Sequence, residues 1–226
     1  MSVGGAGGAD LAASIRTSLR AAADPVRAPG QQAYMKSAMP FLGVTVPDAR
    51  RIARAACNGV TDAAVLRAAA LALWDHAEYR EERYAGMAVL AVRPASDDLD
   101  VLPVIEHMVR TGQWWDFTDE LAHRVADLHD RFPIETATVV RTWSTDDDRW
   151  IRRIAILSQL GRRDRVDAEL LSEVVEPNVS DPEFFVRKAI GWALREYARV
   201  DPDWVVAFAD SHELSPLSRR EALKHL

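Results

Sequence analysis

Apolar side chains recur along almost the whole chain at the three- and four-residue spacing that is typical of amphipathic helices. No segment shows the strict two-residue alternation of a half-buried strand. The pattern therefore predicts an all-α fold. The predicted helices lie near residues 9–24, 31–39, 47–57, 61–75, 77–92, 98–111, 115–129, 134–143, 148–160, 167–175, 183–199, 202–210 and 217–225.

Helix-breaking and helix-starting residues separate these segments. Pro25 and Gly30 lie between the first two helices, Gly112 follows the sixth, and Pro47 with Asp48 suits a first helical turn. The connections are mostly short, so we expect successive helices to pack as antiparallel hairpins.

A repeat of about 35 residues becomes visible when the helices are aligned. The segment 82–90 aligns with 152–160, and that segment aligns with 187–194. In this register four polar residues are equivalent, at spacings of 36, 34 and 35, and a fifth follows 36 residues later: Arg83, Asp119, Arg153, Lys188 and Lys224. A period of two helices predicts an α-solenoid in which such residues form a row on one concave face.

Two interpretations of this polar row remain open. Cations around one carboxylate on a concave surface would suit a polyanion that undergoes one chemical event near the middle of the row. Alternatively, these side chains cap helices or form salt bridges between neighbouring repeats.

Composition limits the possible classes of protein. The 226 residues are 48% hydrophobic, which is enough for one continuous core. The single Cys57 excludes an internal disulfide and fits a reducing compartment, and no apolar run approaches the roughly 20 residues of a membrane span. We predict a cytoplasmic protein with a flexible tail over residues 1–9 and a single domain over residues 10–226.

The histidines give no support for metal chemistry. All six are scattered along the chain, with no His-x-x-x-His pair and no cysteine ligands nearby. A glycine-rich phosphate loop and a local Ser/His/Asp signature are also missing. We therefore expect neither a metal nor another cofactor.

The charge is unevenly distributed. A net charge of −6 argues mildly against nucleic acid, because DNA-binding proteins usually carry a basic surplus. However, residues 149–165 contain six arginines and one acid, Asp164. These arginines indicate either a basic face with the acids elsewhere or simply solvated helix ends.

The segment Gln113–Asp119 is the most informative stretch of the sequence. Trp115 and Asp119 are four residues apart and share one helix face, and Trp192 follows Lys188 at the same distance. Indoles are ordinarily packing residues, and Asp116 suits the first helical turn. Asp119 lies too deep for a cap, and a salt bridge to Arg153 would keep its carboxylate ionised.

These motifs resemble the AlkD-type DNA alkylation repair glycosylases along nearly the whole chain. The resemblance rests on residues 34–36, 41–44, 114–119, 153–160, 184–197 and 217–225. It implies a HEAT-like-repeat DNA glycosylase in which Asp119 is the catalytic carboxylate. Trp115 and Trp192 would line the cleft, and Arg153 would be the active-site arginine.

The resemblance also implies a partner, namely duplex DNA carrying alkylated bases, and a lesion that stays in the duplex without base flipping. We expect a monomer that takes part in base excision repair. The candidates for phosphate contact are Tyr34, Arg83, Arg187, Lys188, Arg219, Arg220 and Lys224.

The chemistry of alkylated purines is consistent with a single carboxylate. A purine alkylated at N3 or N7 is cationic and leaves as a neutral base, so a second acid is unnecessary, in contrast to most sugar hydrolases. The competing class is a non-catalytic HEAT-repeat scaffold for DNA or protein. A glycosylase for bulkier adducts is a further alternative.

Overall fold

A computed structural model describes residues 3–226, and this part of the chain contains thirteen α-helices and no strand. The predicted all-α fold is confirmed. The helices are α1 (Val3–Ala21), α2 (Ala28–Met35), α3 (Val46–Ala56), α4 (Ala63–Asp75), α5 (Arg80–Leu90), α6 (Val101–Gly112), α7 (Trp115–His129), α8 (Pro133–Ser144), α9 (Arg149–Leu157), α10 (Ala168–Val175), α11 (Phe184–Tyr197), α12 (Pro202–Ser211) and α13 (Pro216–Ala222).

Local capping explains where several helices begin. The hydroxyl of Thr45 accepts a hydrogen bond from the backbone N–H of Asp48 at the start of α3. Asp148 does the same for α9 and Asp201 for α12, with donor–acceptor distances of 2.8 and 2.9 Å. Such caps satisfy backbone donors that have no partner within the helix. The acids before these helices therefore have a structural role.

The first helix begins earlier than the sequence predicts. Residues 3–9, which we expected to belong to a flexible tail, form the first turns of α1, and residues 1–2 lie outside the described part. The reason is the close packing of α1 on α4. A Cβ atom at Gly8 would lie 2.6 Å from the Cβ of Ala68, so the glycine permits this approach. Its low helix propensity, which favoured a tail, is outweighed by tertiary packing.

The chain divides into two compact units, the first ending at Val104 and the second beginning at Ile105. In the first unit α4 packs against α1 and α5, and α3 packs against α5. Leu66, Leu73 and Trp74 of α4 are fully buried in this packing. The prediction of a single domain over residues 10–226 stays a prediction.

A buried carboxylate holds the segment between α2 and α3. Glu81 at the start of α5 is fully buried and accepts hydrogen bonds from three successive backbone N–H groups. The donors are Leu42, Gly43 and Val44, at 2.9, 2.8 and 3.1 Å. Because three donors satisfy this charge, its burial is compatible with a stable fold. The segment is thereby fixed to α5.

Two rows of helices build the second unit. α7, α9, α11 and α13 pack successively on one another, whereas α8 packs on α7, α9 and α10. Trp150, Leu121 and Ile154 are fully buried in this core. The alternation of the two rows confirms the predicted arrangement of helical repeats in this unit, because each period contributes one helix to each row.

The one cysteine of the sequence is protected from reaction by its burial. Cys57 is buried, and this burial raises the pKa of its thiol to about 11, so the thiol stays protonated at neutral pH.

Within residues 3–226, no helix combines the length and the apolar character needed to cross a bilayer. Over the same residues, no three side chains of His, Cys, Asp or Glu converge as a metal site would require.

Candidate functional site

Helix α7 places the first two candidate residues on one face. Trp114 has an extended backbone before the helix, and its carbonyl oxygen accepts a hydrogen bond from the N–H of Thr118 at 3.2 Å. α7 therefore begins at Trp115, as the sequence predicts, with Asp116 in its favoured first-turn position. Asp119 follows one helical turn after Trp115, so both side chains lie on the same side of α7.

Asp119 and Arg153 form a bidentate ion pair. Nε of Arg153 donates to Oδ1 of Asp119 at 2.8 Å, and Nη2 donates to Oδ2 at 2.9 Å. The side chains are only 5% (Arg153) and 15% (Asp119) exposed. Two parallel charge-assisted hydrogen bonds hold both groups in one orientation. The predicted salt bridge between these equivalent positions, 34 residues apart, is confirmed.

Arg153 also reaches a third helix. Its Nη1 donates to the carbonyl oxygen of Phe185, the second residue of α11. The guanidinium carbon lies 5.8 Å from the centre of the Phe185 ring. One side chain of α9 thus connects α7 with α11. Three of the five N–H donors of Arg153 take part in these bonds.

Burial raises the pKa of the Asp119 carboxyl above its usual value of 3.8. The hydrogen bonds and positive charge of Arg153 act in the opposite direction, as the sequence suggests, but they do not outweigh the loss of hydration. The negative charge of Asp116 raises the pKa slightly further. The result is a carboxylate that burial makes costlier to ionise, a cost that Arg153 offsets only in part.

The two candidate tryptophans lie on the helices that Arg153 connects. Trp115 is on α7 and Trp192 is on α11, and both indoles are half-buried. In the described chain, no hydrogen bond or ring contact joins either indole to Asp119. The structure therefore brings Asp119 and Arg153 into direct contact and places Trp115 and Trp192 on the two helices, α7 and α11, that pack against α9.

An aromatic cluster lies where three helices begin. The ring centroids of Trp114 and Trp150 are 6.3 Å apart, and Phe185 lies 5.9 Å from the first and 4.9 Å from the second. These residues stand at the N-terminal ends of α7, α9 and α11. The cluster fixes the starts of the helices that carry Asp119, Arg153 and Trp192. Phe185 was not among the predicted site residues, although its place three residues before Lys188 on α11 was a signal for it.

Lys188 forms an ion pair with an acid that was not among the predicted site residues. Its Nζ lies 3.1 Å from Oε2 of Glu221, and Nη1 of Arg195 lies 2.8 Å from the same oxygen. Hydrogen bonding to Lys188 holds the pKa of the Glu221 carboxyl below its usual value. The spacing in the sequence could have identified this acid, because Glu221 follows Lys188 after about one repeat.

A glycine makes this contact between α11 and α13 possible. A Cβ atom at Gly191 would lie 2.4 Å from the Cβ of Glu221 and 2.9 Å from the carbonyl oxygen of Ser218. Real Cβ atoms do not approach so closely, so only glycine permits this packing. Because Trp192 directly follows Gly191 in the sequence, this close contact between α11 and α13 also fixes the backbone at Trp192.

The other phosphate candidates of the second unit fall into two groups. Arg219 pairs with Asp210 at 2.6 Å and also donates to the carbonyl oxygen of Ala209. By contrast, among residues 3–226 no acid forms an ion pair with Arg187, Arg220 or Lys224. Arg220 and Lys224 are exposed and Arg187 is half-buried. These three side chains keep an uncompensated positive charge.

Two phosphate candidates belong to the first unit. Tyr34 on α2 is 77% exposed. Arg83 on α5 is half-buried and places its guanidinium 4.7 Å from the centre of the Trp74 ring, a cation–π contact. Burial lowers the pKa of Arg83 from its usual value, although the group remains protonated at neutral pH.

Most of the arginine cluster joins neighbouring repeats. Five of the six arginines of residues 149–165 form ion pairs with acids located 29 to 35 residues away in the chain. The pairs are Arg149 with Glu183, Arg152 with Asp181, Arg153 with Asp119, and Arg162 and Arg165 with Asp130. This part of the chain is therefore not an open basic surface, and its arginines are more than solvated helix ends.

The family of this chain follows from comparison of its sequence with models of known families. Residues 15–226 match the family model of the DNA alkylation repair enzymes. The chain therefore belongs to the DNA alkylation repair enzyme family. The resemblance that the sequence motifs indicated is confirmed at this level.

Two solved structures are similar to this chain. A predicted DNA alkylation repair enzyme from Enterococcus faecalis superposes with a TM-score of 0.82 and 25% identity, covering 90% of this chain and 96% of that one. The crystal structure of smu.31 from Streptococcus mutans UA159 gives a TM-score of 0.65 at 17% identity, covering 80% and 92%. The second similarity concerns the fold alone. A comparison with curated proteins gives no significant match.

Proposed function

We propose that this protein is a DNA glycosylase that hydrolyses the N-glycosidic bond of cationic alkylated purines in duplex DNA. The substrates are of the 3-methyladenine and 7-methylguanine type. The observation that carries the proposal is the largely buried Asp119 carboxylate, which Arg153 fixes in place. Membership of the DNA alkylation repair enzyme family supports the same assignment.

The chemistry of the substrate explains why one carboxylate suffices. An alkylated purine carries a positive charge that weakens its bond to the sugar, and it leaves as a neutral base. No acid is needed to protonate the leaving group. The enzyme contributes by stabilising the positive charge that develops on the deoxyribose as the bond breaks.

In this proposal Asp119 faces the developing oxocarbenium ion. Each of its oxygens accepts one hydrogen bond from Arg153 and keeps a further lone pair. The carboxylate can therefore stabilise the sugar cation and orient a water molecule for attack on C1′. Because the site is largely dehydrated, this electrostatic contribution is larger than it would be in water.

Trp115 and Trp192 supply two further negative surfaces. The face of an indole carries a negative quadrupole, which attracts a cation within about 6 Å of the ring centre. The cationic nucleotide and the sugar in its transition state both offer such a charge. The two indoles therefore favour cationic lesions over neutral bases.

Arg153 acts as a positioning residue and as a phosphate ligand. Its ion pair orients the Asp119 carboxylate, and in this proposal its two remaining N–H donors turn to a phosphate that flanks the lesion. In the proposed complex the lesion stays in the duplex and the protein contacts the backbone. Selectivity then follows from the charge and lability of the base itself, so bulky cationic adducts are tolerated.

Release of free 7-methylguanine from methylated duplex DNA tests this proposal. We expect release by the wild type and a loss of roughly 100-fold or more in Asp119→Asn, the size of effect that a key electrostatic group produces. Asp127→Asn is the matched control, because Asp127 lies on the same helix with a more exposed ion pair to Arg124. Duplex binding, measured by fluorescence anisotropy, should be retained in both variants.

The other outcomes of this experiment are equally clear. Full activity of Asp119→Asn would remove Asp119 from the mechanism. If the wild type binds duplex DNA but releases no methylated base, the non-catalytic scaffold becomes the better assignment. The structure gives that alternative one specific support, since Asp119 and Lys188 both join neighbouring repeats through ion pairs.

A further inference from the structure

A cavity of about 470 Å³ lies in the second unit, between the C-terminal parts of α9 and α11 and the N-terminal part of α10. Its wall is mainly apolar, with Ile156, Leu160, Leu171 and Ala193 among the lining residues. Asp119 and Arg153 are not part of this wall. The cavity is therefore separate from the proposed catalytic site.

The turn between α9 and α10 shapes this cavity. Gly161 and Arg163 both have a left-handed backbone, with φ angles of 83° and 55°. Gln159 closes the turn, because its amide donates to the carbonyl of Asp167 at 2.9 Å and accepts from the N–H of Asp167 at 2.8 Å. These bonds fix the turn, so the cavity is built into the fold rather than opened by a ligand.

Positive charge predominates among the charged lining residues. Arg163 is exposed, and within the described residues it forms no ion pair. A left-handed arginine is unfavourable, and such strained residues often cluster at ligand sites. Among the described residues Arg199 pairs only with Glu196, at 3.2 Å, and that arginine is 65% exposed, so water weakens the pair. Two guanidinium groups and one carboxylate therefore line the cavity.

We propose that this cavity binds a small organic anion with a ring-sized apolar body and one charged group, such as a carboxylate or sulfonate. The body would lie against Ile156, Leu160 and Ala193, and the charge would lie beside Arg163. The volume falls within the range of about 300–1,000 Å³ that is usual for small-molecule pockets. This site does not depend on the proposed glycosylase activity.

A titration with 1-anilinonaphthalene-8-sulfonate tests the site on the full chain. The probe combines two aromatic rings with one sulfonate. We expect saturable binding of one probe per chain and affinity weakened about tenfold or more by Ala193→Leu, a change near 1.4 kcal/mol in binding free energy. Arg163→Asn should weaken binding to a similar extent, since asparagine tolerates the left-handed backbone and removes the charge. Arg163→Lys should keep most of the affinity.

Several controls separate binding from unfolding. A partly unfolded variant would bind more of this probe rather than less, and thermal unfolding reports folding directly. Val200→Glu changes a 43% exposed lining residue, so it should weaken anion binding without disturbing the core. Arg220→Gln, an exposed arginine outside the cavity, should leave the affinity unchanged. The neutral analogue N-phenyl-1-naphthylamine should respond to Ala193→Leu but not to Arg163→Asn.

The results that would overturn the proposal follow from the same design. Either no saturable binding to the wild type or equal affinity for wild type and Ala193→Leu would remove the cavity as the site. Equal responses of the charged and neutral probes to Arg163→Asn would remove the role of Arg163 in recognising the anion. Because no DNA is involved, these results are independent of any test of base release.

Discussion

Asp119 and Arg153 lie one repeat apart in the sequence and are joined by two parallel hydrogen bonds of 2.8 and 2.9 Å. The same pair links α7 to α9 and fixes the orientation of the proposed catalytic carboxylate. In the proposed mechanism, stability and catalysis therefore depend on the same two side chains. Measurements of folding and of base release on the same variants can separate the two contributions.

The rate of base release should fall as the pH decreases through the pKa of Asp119. Burial raises this pKa, so the acid limb should lie above the usual value of 3.8. Since only the ionised carboxylate stabilises the sugar cation, activity is present above the pKa and lost below it. Single-turnover rates at a series of pH values, corrected for spontaneous base loss, measure the limb.

The variant Arg153→Gln should move this acid limb to higher pH. It removes the charge and the bidentate, charge-assisted hydrogen bonding that lower the pKa of Asp119, and burial remains. A purely structural role of Arg153 would lower the rate equally at every pH. An unshifted limb in Arg153→Gln would therefore contradict the proposed control of Asp119 by Arg153.

Removal of one partner of the Asp119–Arg153 pair should cost more stability than removal of both. Arg153→Met leaves a largely buried carboxylate without its partner, and we expect a loss of about 3 kcal/mol in the free energy of unfolding. The double variant Asp119→Leu with Arg153→Met buries no unpaired charge, so it should recover much of that loss. Denaturant unfolding of Arg153→Met, of Asp119→Leu and of the double variant gives the coupling, and additive losses would argue against it.

Replacement of Gly191 by alanine should destabilise the protein. The added Cβ would collide with Glu221 and with the carbonyl oxygen of Ser218, which forces α13 away from α11. We expect a loss of about 1–3 kcal/mol, as is typical of overpacking. Gly30→Ala is the matched control, because nothing lies within 4 Å of the added atom and the site is helical. That control should be neutral or slightly stabilising.

Two adjacent arginines should differ in their effect on DNA binding. Arg220 is exposed and keeps its charge uncompensated, whereas Arg219 is paired with Asp210. The salt dependence is measured as the slope of the logarithm of the binding constant against the logarithm of the salt concentration. If Arg220 contacts a phosphate, Arg220→Gln should reduce the magnitude of this slope by about one. Arg219→Gln should change the slope less, since its charge is already matched. Equal slopes for both variants and the wild type would exclude a phosphate contact by Arg220.

The helical periodicity of the sequence was sufficient to predict the elements of the fold. Residues 115–129 form α7 with the predicted bounds, because Trp114 and Asp116 mark its start locally. The start of α1 was missed, since glycines argue against a helix when the sequence is considered alone. Only the packing on α4 shows why small residues are favourable there.

The candidate site was predicted in part. The repeat spacing of 34 residues indicated that Asp119 and Arg153 are equivalent, and equivalent positions in successive repeats are neighbours. The bond from Arg153 to the carbonyl of Phe185 involves a backbone atom, which no side-chain pattern can reveal. The balance between burial and pairing at Asp119 likewise depends on distances and exposure, which require the folded structure.

The arginines of residues 149–165 also constrain how the repeats can diverge in evolution. Arg149 pairs with Glu183 after 34 residues, and Arg165 pairs with Asp130 after 35. A charge reversal at one of these positions would turn an attraction into a repulsion, which a compensating reversal in the adjacent repeat removes, and a single-residue deletion within a repeat would misalign several pairs together. Substitutions at these positions are thus coupled between adjacent repeats, so the charges of one repeat limit the charges that the adjacent repeat can carry.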